Sequence, residues 1–228
     1  MRRLRQADAD MTQGVIWRQL LDFAVPMALG LLFQQLYNTV DTIVVGQFVG
    51  KEALAAVGSV GSVVNMLVGL CAGLSTGASV IISQCYGAHD NARLHDAVHT
   101  TIALTFLLCI AATVVGLAMV PLMLDLMATP ADVIELSREY LNIYFAGITG
   151  LLIYNMGSGI LRAVGDSRRP LYFLRVSALT NIVLDLVFVV VFHWGVAGVA
   201  DATIISQFAS AVLVLIVLTR SDTAYGIK

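Results

Sequence analysis

The sequence predicts an all-α integral membrane protein, built as a bundle of six transmembrane helices. Of its 228 residues, 58% are hydrophobic and only 12% are charged, whereas soluble domains carry about 25% charged residues. The mean hydropathy is +0.86. The apolar residues gather in six stretches, and each stretch reaches the roughly 20 residues that are needed to cross a bilayer. Together these observations exclude a soluble globular fold.

The six spans follow one another with short polar breaks between them. A tail, residues 1–14, comes first, and the apolar run after it is too long for a signal peptide. Residues 15–220 then form the transmembrane region. Within it, the spans are expected at residues 15–47, 53–84, 97–124, 134–161, 170–193 and 196–219.

The basic residues predict how the chain is oriented. Eleven Lys and Arg residues fall on one side of the membrane: Arg2, Arg3, Arg5, Arg18, Arg93, Arg162, Arg168, Arg169, Arg175, Arg220 and Lys228. The other side holds only Lys51 and Arg138. Because cytoplasmic loops carry the excess of positive charge, both termini of this multi-pass chain are expected in the cytoplasm.

Several function classes find no support in the sequence. Basic patches interleaved with aromatic residues are absent, so nucleic acid is not an expected partner. The three cysteines lack metal-ligand spacing. Residues 73–77 read Gly-x-Ser-x-Gly, but a nucleophile elbow needs a strand before the serine, and here the motif lies inside an apolar span. We therefore expect no enzymatic activity.

Polar side chains inside the spans are the strongest functional signal. Asp41 is the only charged residue within residues 23–50, and an acid at the centre of a span costs about 2.5–3.5 kcal/mol on insertion scales. Gln34, Asn38 and Asp41 fall at i, i+4 and i+7, which places them on one helical face. Other spans contribute Asn155, the neighbouring pair Asn181 and Asp185, and Asp201, Thr203 and Gln207.

Two carboxylates together with amide and hydroxyl oxygens suit a cation or a proton, because hard cations prefer oxygen ligands. Asp41 and Asp185 are the residues expected to hold such an ion, including Na⁺, and they are treated as one coupled unit. The alternative is that these residues only join helices by hydrogen bonds, which contribute about 0.6 kcal/mol each in membranes. Two like charges join helices poorly, which favours the ion site.

Residues 23–59 resemble the opening of the multidrug and toxic compound extrusion (MATE) family. Three further segments are similar to that family: GILRAVGDSRRP at 159–170, NIVLD at 181–185 and GVAGVADATIISQ at 195–207. The resemblance implies an antiporter that expels organic, often cationic, molecules from the cell in exchange for H⁺ or Na⁺. It implies no organic cofactor, and it implies a fold of two six-helix lobes.

Carried over to this sequence, the resemblance implies a cation site at Asp41, Asn181, Asp185 and Thr203. It makes Gln34, Asn38 and Asn155 neighbours in the same cavity. The sequence ends after one lobe, and residues 221–228 resemble the start of a linker or a truncated end. The missing partner is therefore a second lobe or a second copy of the chain.

Two other functions remain open. One is a flippase for lipid-linked oligosaccharides, from the related superfamily. Such cavities carry several basic residues for phosphate, whereas the cavity residues expected here are acids and amides. The other is a membrane module without transport activity, which is favoured if the chain is naturally complete.

Overall fold

The computed structural model describes residues 15–220 and Gly226, and every regular element in them is helical. The predicted all-α membrane fold is confirmed. The tail at 1–14 and nearly all of the segment at 221–228 lie outside the described residues. The helices are α1 Ile16–Val44, α2 Lys51–Gly87, α3 Asn91–Leu126, α4 Ile134–Ala146, α5 Ile148–Ala163, α6 Arg168–Asp185 and α7 Gly195–Thr219.

Five helical segments of the described chain are each long and apolar enough to cross a membrane, and α4 and α5, bent by 48°, are together long and apolar enough for a sixth span. The sequence predicted one continuous span at 134–161, but α4 ends at Ala146 and α5 begins at Ile148. Gly147 separates them, and a side chain there would collide with Ile204 of α7. A close helix approach therefore fixes glycine at the bend.

Two of the spans end in a π-helical turn, which widens the helix by one residue per turn. Val45–Val49 extends α1, and Leu186–Val191 extends α6. Gly50 has a φ of 124°, a conformation that L side chains rarely adopt, and it lets the chain turn sharply into α2. Because π-helical turns are frequent at functional sites, the residues that precede them are of interest.

The turn between α5 and α6 is held by its own side chains. The Asp166 carboxylate accepts hydrogen bonds from the backbone N–H groups of Arg168 and Arg169, both at 3.1 Å, and so caps α6. Its other oxygen pairs with Nε of Arg169 at 3.2 Å. This turn and the one at 88–90 lie at the same end of the bundle, here called the arginine-rich end.

Helix α5 lies at the centre of the bundle, against α2, α3 and α7. Small residues let α2 approach closely: the Ser75 hydroxyl donates to the Asn155 carbonyl at 2.8 Å, and the Ser79 hydroxyl donates to the Gly159 carbonyl at 3.0 Å. A Cβ on Gly159 would collide with Ser75 Oγ. The contact between α2 and α5 thus depends on a glycine and two serines.

Three glycines at every fourth position of α2 differ from Gly159, because they do not lie against another described helix. A Cβ built on Gly69, Gly73 or Gly77 meets nothing within 4 Å. These glycines line an open groove of about 750 Å³ between α2 and α3. A glycine at every fourth position is typical of a face for close helix packing, but among the described residues no helix occupies that face.

Candidate functional site

The two acids expected in the membrane occupy matching positions on α1 and α6. Asp41 lies in the last turn of α1, just before the π-helical turn at Val45–Val49. Asp185 is the last residue of α6, immediately before the π-helical segment Leu186–Val191. Because α1 packs against α6, the two helix ends meet near the end of the bundle opposite the arginine-rich end.

The structure brings Asp41, Asn181 and Asp185 together. The Asp41 carboxyl group lies beside both the Asp185 carboxyl group and the Asn181 amide, close enough for electrostatic interaction. Asn181 is one helical turn before Asp185, and the two are 1% and 0% exposed. Asp41 is partly exposed, so this cluster, called the acid cluster below, has one side open.

The buried polar atoms of the acid cluster have no protein hydrogen bonds. These are Oδ1 of Asp41, both carboxylate oxygens of Asp185, and Oδ1 and Nδ2 of Asn181. Neither acid forms an ion pair with a base in the part of the chain that the structure describes. A buried polar atom without a partner costs about 1–3 kcal/mol, so the cluster is suited to a cation or a shared proton.

Thr203 lies on α7, which packs against α6, and it is 7% exposed. Its hydroxyl donates to the Val199 carbonyl at 3.0 Å, so only its lone pairs remain for another group. No hydrogen bond joins it to the acid cluster within the described ranges. No group of three or more His, Cys, Asp and Glu side chains there could hold a metal, so an ion would depend on two carboxylates with amide or hydroxyl oxygens.

The remaining predicted residues divide between a cavity and the surface. Gln34 and Asn155 line one cavity of about 270 Å³, together with Gln207. The Asn155 side chain donates to the Leu151 carbonyl at 2.8 Å. Asn38 is exposed and is not part of the cavity wall. None of the acid-cluster residues lines this cavity, which is called the inner cavity below.

The inner cavity lies toward the arginine-rich end from the acid cluster. Gln34 precedes Asp41 by seven residues on α1, which corresponds to about 10 Å along a helix. Arg162 lines the cavity, and no Asp or Glu does. Arg162 thus adds a base to a cavity for which the sequence predicted acids and amides.

Comparison with known proteins identifies the family. A family model described as MatE matches residues 26–187. The chain belongs to the MatE family. The resemblance predicted from the sequence is therefore confirmed.

Individual relatives agree with this MatE assignment. The chain is 34% identical to the "Probable multidrug resistance protein YoeA" of Bacillus subtilis (strain 168) over 90% of its own length and 45% of that protein. It is 25% identical to a "FAD transporter" of Shewanella oneidensis over 75% of its length and 37% of that protein. The chain thus spans about half the length of the curated relatives that it matches.

A solved structure shows the same fold. The protein described as "Outward-facing conformation of a multidrug resistance MATE family transporter of the MOP superfamily" superimposes with a TM-score of 0.88 at 29% identity. The match covers 100% of this chain and 49% of that one. The six-span bundle is therefore one half of a transporter fold in this MatE relative.

Proposed function

We propose that this chain forms one six-helix lobe of an antiporter that expels drugs or amphipathic metabolites in exchange for H⁺ or Na⁺. The acid cluster carries the proposal. Asp41 and Asp185 lie side by side in the membrane region, their buried oxygens lack a protein hydrogen bond of ordinary distance and angle, and no base neutralises them among the described residues. If the two acids had only a structural role, a basic side chain would be expected beside them. An ion-binding site instead needs carboxylate oxygens that are free to bind the ion.

Ion binding at the acid cluster provides a way to move α1. A cation or proton between Asp41 and Asp185 removes the repulsion between the two carboxylates and draws the end of α1 toward α6. Among the described helices, α6 is the principal neighbour of α1, and Pro26 removes one backbone hydrogen bond inside α1. Helix α1 is therefore the element best suited to change shape when the ion binds.

The proposed transporter needs a second lobe, supplied by a longer chain or by a second copy. Large apolar side chains of the first span are exposed in this chain, among them Leu31, Leu32 and Leu36. The glycine groove of α2, with Gly69, Gly73 and Gly77, likewise lacks a neighbour in the described structure. Small-residue faces are typical of helix–helix interfaces in membranes, which favours protein rather than lipid against this groove.

The location and the transported molecule follow from the same proposal. We place the lobe in the cell membrane with both termini in the cytoplasm, because eleven of its thirteen Lys and Arg residues lie toward that side. The transported molecule is a small organic compound. The relatives named above are a multidrug resistance protein and an FAD transporter, so membership of the family does not by itself define the compound.

Dye efflux tests the proposal. Cells that express this lobe with its second lobe are expected to expel a fluorescent organic cation, and either Asp41→Asn or Asp185→Asn is expected to abolish the dependence of efflux on the H⁺ or Na⁺ gradient. Asp22→Asn is the matched control, since Asp22 is an exposed acid on the same helix as Asp41. Gradient-dependent efflux that is undiminished in both cluster variants would contradict the proposal.

A further inference from the structure

Arg162 faces the inner cavity and has no acid partner among the described residues. It lies in the last turn of α5, is partly buried and lines the inner cavity. Some described arginines pair with nearby acids, such as Arg169 with Asp166 at 3.2 Å and Arg138 with Glu135 at 3.1 Å. Arg162 forms no ion pair or hydrogen bond within the described residues, and the titratable side chain that it interacts with there is the neutral Tyr154 phenol.

The polar side chains of the inner cavity differ in whether their hydrogen-bond donors are already used. The hydroxyls of Tyr154, Ser177 and Ser210 already donate to backbone carbonyls at 2.9–3.2 Å, so their hydrogens are engaged. The side chains of Gln34, Gln207 and Ser167 make no hydrogen bond in the described structure and keep their donors. The cavity thus combines a guanidinium with neutral donors.

A wall of this composition is complementary to an oxyanion. A guanidinium presents its N–H groups as a planar fork that binds a carboxylate or phosphate through two hydrogen bonds. No Asp or Glu in the cavity wall competes for Arg162, and Asp41 of the transport site lies about 10 Å along α1 from Gln34 on that wall. The cavity therefore has the charge and the donors for an anionic group, and its remaining walls are largely apolar.

We propose that the inner cavity binds the carboxylate or phosphate group of an amphipathic molecule through Arg162. This inference rests on the proposed function in one respect: the bound molecule is taken to be a transport substrate. The same oxyanion is also carried by anionic lipid headgroups, and the experiment has a separate arm for them. The inner cavity then binds a compound that carries a carboxylate or phosphate more tightly than its neutral analogue.

Binding to the purified chain tests this inference. The 228-residue chain is placed in phosphatidylcholine nanodiscs and titrated calorimetrically with 1-naphthylacetate or with its neutral amide, 1-naphthylacetamide. The wild-type chain is expected to bind the carboxylate about 10- to 100-fold more tightly, since a hydrogen-bonded charge contributes that much. Arg162→Gln is expected to remove this preference, and Arg162→Lys to keep part of it.

Arg168→Gln is the matched control, because Arg168 is an exposed arginine at the same end of the bundle. It is expected to keep the full preference for the carboxylate. Equal affinity of the wild-type chain for the two probes would overturn the inference. A preference that survives in Arg162→Gln, in protein whose melting temperature matches that of the control, would overturn it as well.

Lipid composition identifies the source of the oxyanion. Nanodiscs that contain phosphatidylglycerol are expected to leave naphthylacetate binding unchanged if a soluble compound is the occupant. Weaker binding in those nanodiscs, absent in Arg162→Gln, would assign the oxyanion site to a lipid headgroup. Asp41→Asn and Asp185→Asn are expected to retain the carboxylate preference, so failure of the ion-coupling proposal and failure of this inference are distinguishable.

Discussion

The acid cluster and the inner cavity are built on the same helices but carry opposite charge. Helix α1 contributes Asp41 to the cluster and Gln34 to the cavity, and α6 contributes Asp185 and Ser177 in the same way. Within residues 15–220, the cluster has acids without a base, and the cavity has an arginine without an acid. These charges do not neutralise each other in the described part of the chain, which is consistent with the two separate ligand sites proposed above.

The largest expected effect is the loss of cation binding when the acid cluster is altered. Asp185→Asn is expected to weaken cation binding roughly 100-fold, because a charged ligand that is fully buried contributes up to about 3 kcal/mol. The melting temperature of the chain in nanodiscs, followed against Na⁺ concentration and against pH, measures the effect. The wild-type chain should respond to at least one of the two ions, and Asp185→Asn should respond to neither.

The inner cavity supplies the control for that experiment. Arg162→Gln is expected to leave the response to Na⁺ and pH intact, since Arg162 does not contact the acid cluster. If Arg162→Gln abolished the ion response to the same extent as Asp185→Asn, the two regions would be one site, and the comparison would be wrong.

A second contrast concerns the two glycine surfaces of the bundle. Gly159→Ala places a methyl group against Ser75 Oγ and is expected to destabilise the chain by about 1–3 kcal/mol. Gly73→Ala meets nothing within 4 Å and is expected to stabilise the isolated chain by up to about 1 kcal/mol, because alanine favours a helix over glycine. Thermal unfolding of both variants in the same detergent measures the difference.

In the presence of the second lobe, Gly73→Ala is expected to destabilise the assembly rather than stabilise it. If the α2 groove receives a helix of that lobe, the added methyl group should weaken the assembled transporter even though it stabilises the lobe alone. Crosslinking yield between lobes provides the readout, with Ala78→Gly on the same groove as a substitution that adds no volume. Equal crosslinking in Gly73→Ala and wild type would exclude this groove as the contact surface.

The contribution of Asn181 to cation binding tests whether the ion lies in the acid cluster. Its neutral amide contributes less than a carboxylate, so Asn181→Ala is expected to weaken cation binding by about 2- to 10-fold. The matched change is Ser177→Ala, one turn earlier on α6 and part of the inner cavity wall. A larger loss with Ser177→Ala than with Asn181→Ala, in the same melting-temperature titration, would place the ion in the cavity instead.

The smallest expected effect distinguishes two residues that the sequence placed on one face. Gln34→Ala is expected to weaken naphthylacetate binding by about 2- to 10-fold, because Gln34 offers a free amide donor to the inner cavity. Asn38→Ala is expected to leave it unchanged, since Asn38 is exposed outside the cavity wall. Calorimetry on both variants checks this, and an equal loss would return Asn38 to the site.

Much of this arrangement could be predicted from the sequence, because burying charge in a membrane is costly. That cost singled out Asp41 and Asp185, and helical spacing paired Asp185 with Asn181. Arg162 could not be singled out from the sequence, because it is one of eleven basic residues that the positive-inside rule assigns to the same end. Only the fold shows that its side chain lines a cavity.

Features that depend on neighbouring helices were beyond the sequence. The bend at Gly147 arises from the close approach of Ile204, a contact between residues nearly sixty positions apart that no local pattern reports. The π-helical turns after Asp41 and Asp185 lie in runs of apolar residues that also suit an ordinary α-helix. Asn38 shares a face with Gln34 on a straight helix, but the cavity wall ends before reaching it.

The most direct test of the central claim is a double-mutant comparison of Asp41 and Asp185. The ion-dependent rise in melting temperature is measured for the wild-type chain, for Asp41→Asn, for Asp185→Asn and for the double variant. If the two acids hold one ion together, each single substitution should remove the rise and the double variant should lose nothing further. An undiminished rise in both single variants would contradict the account.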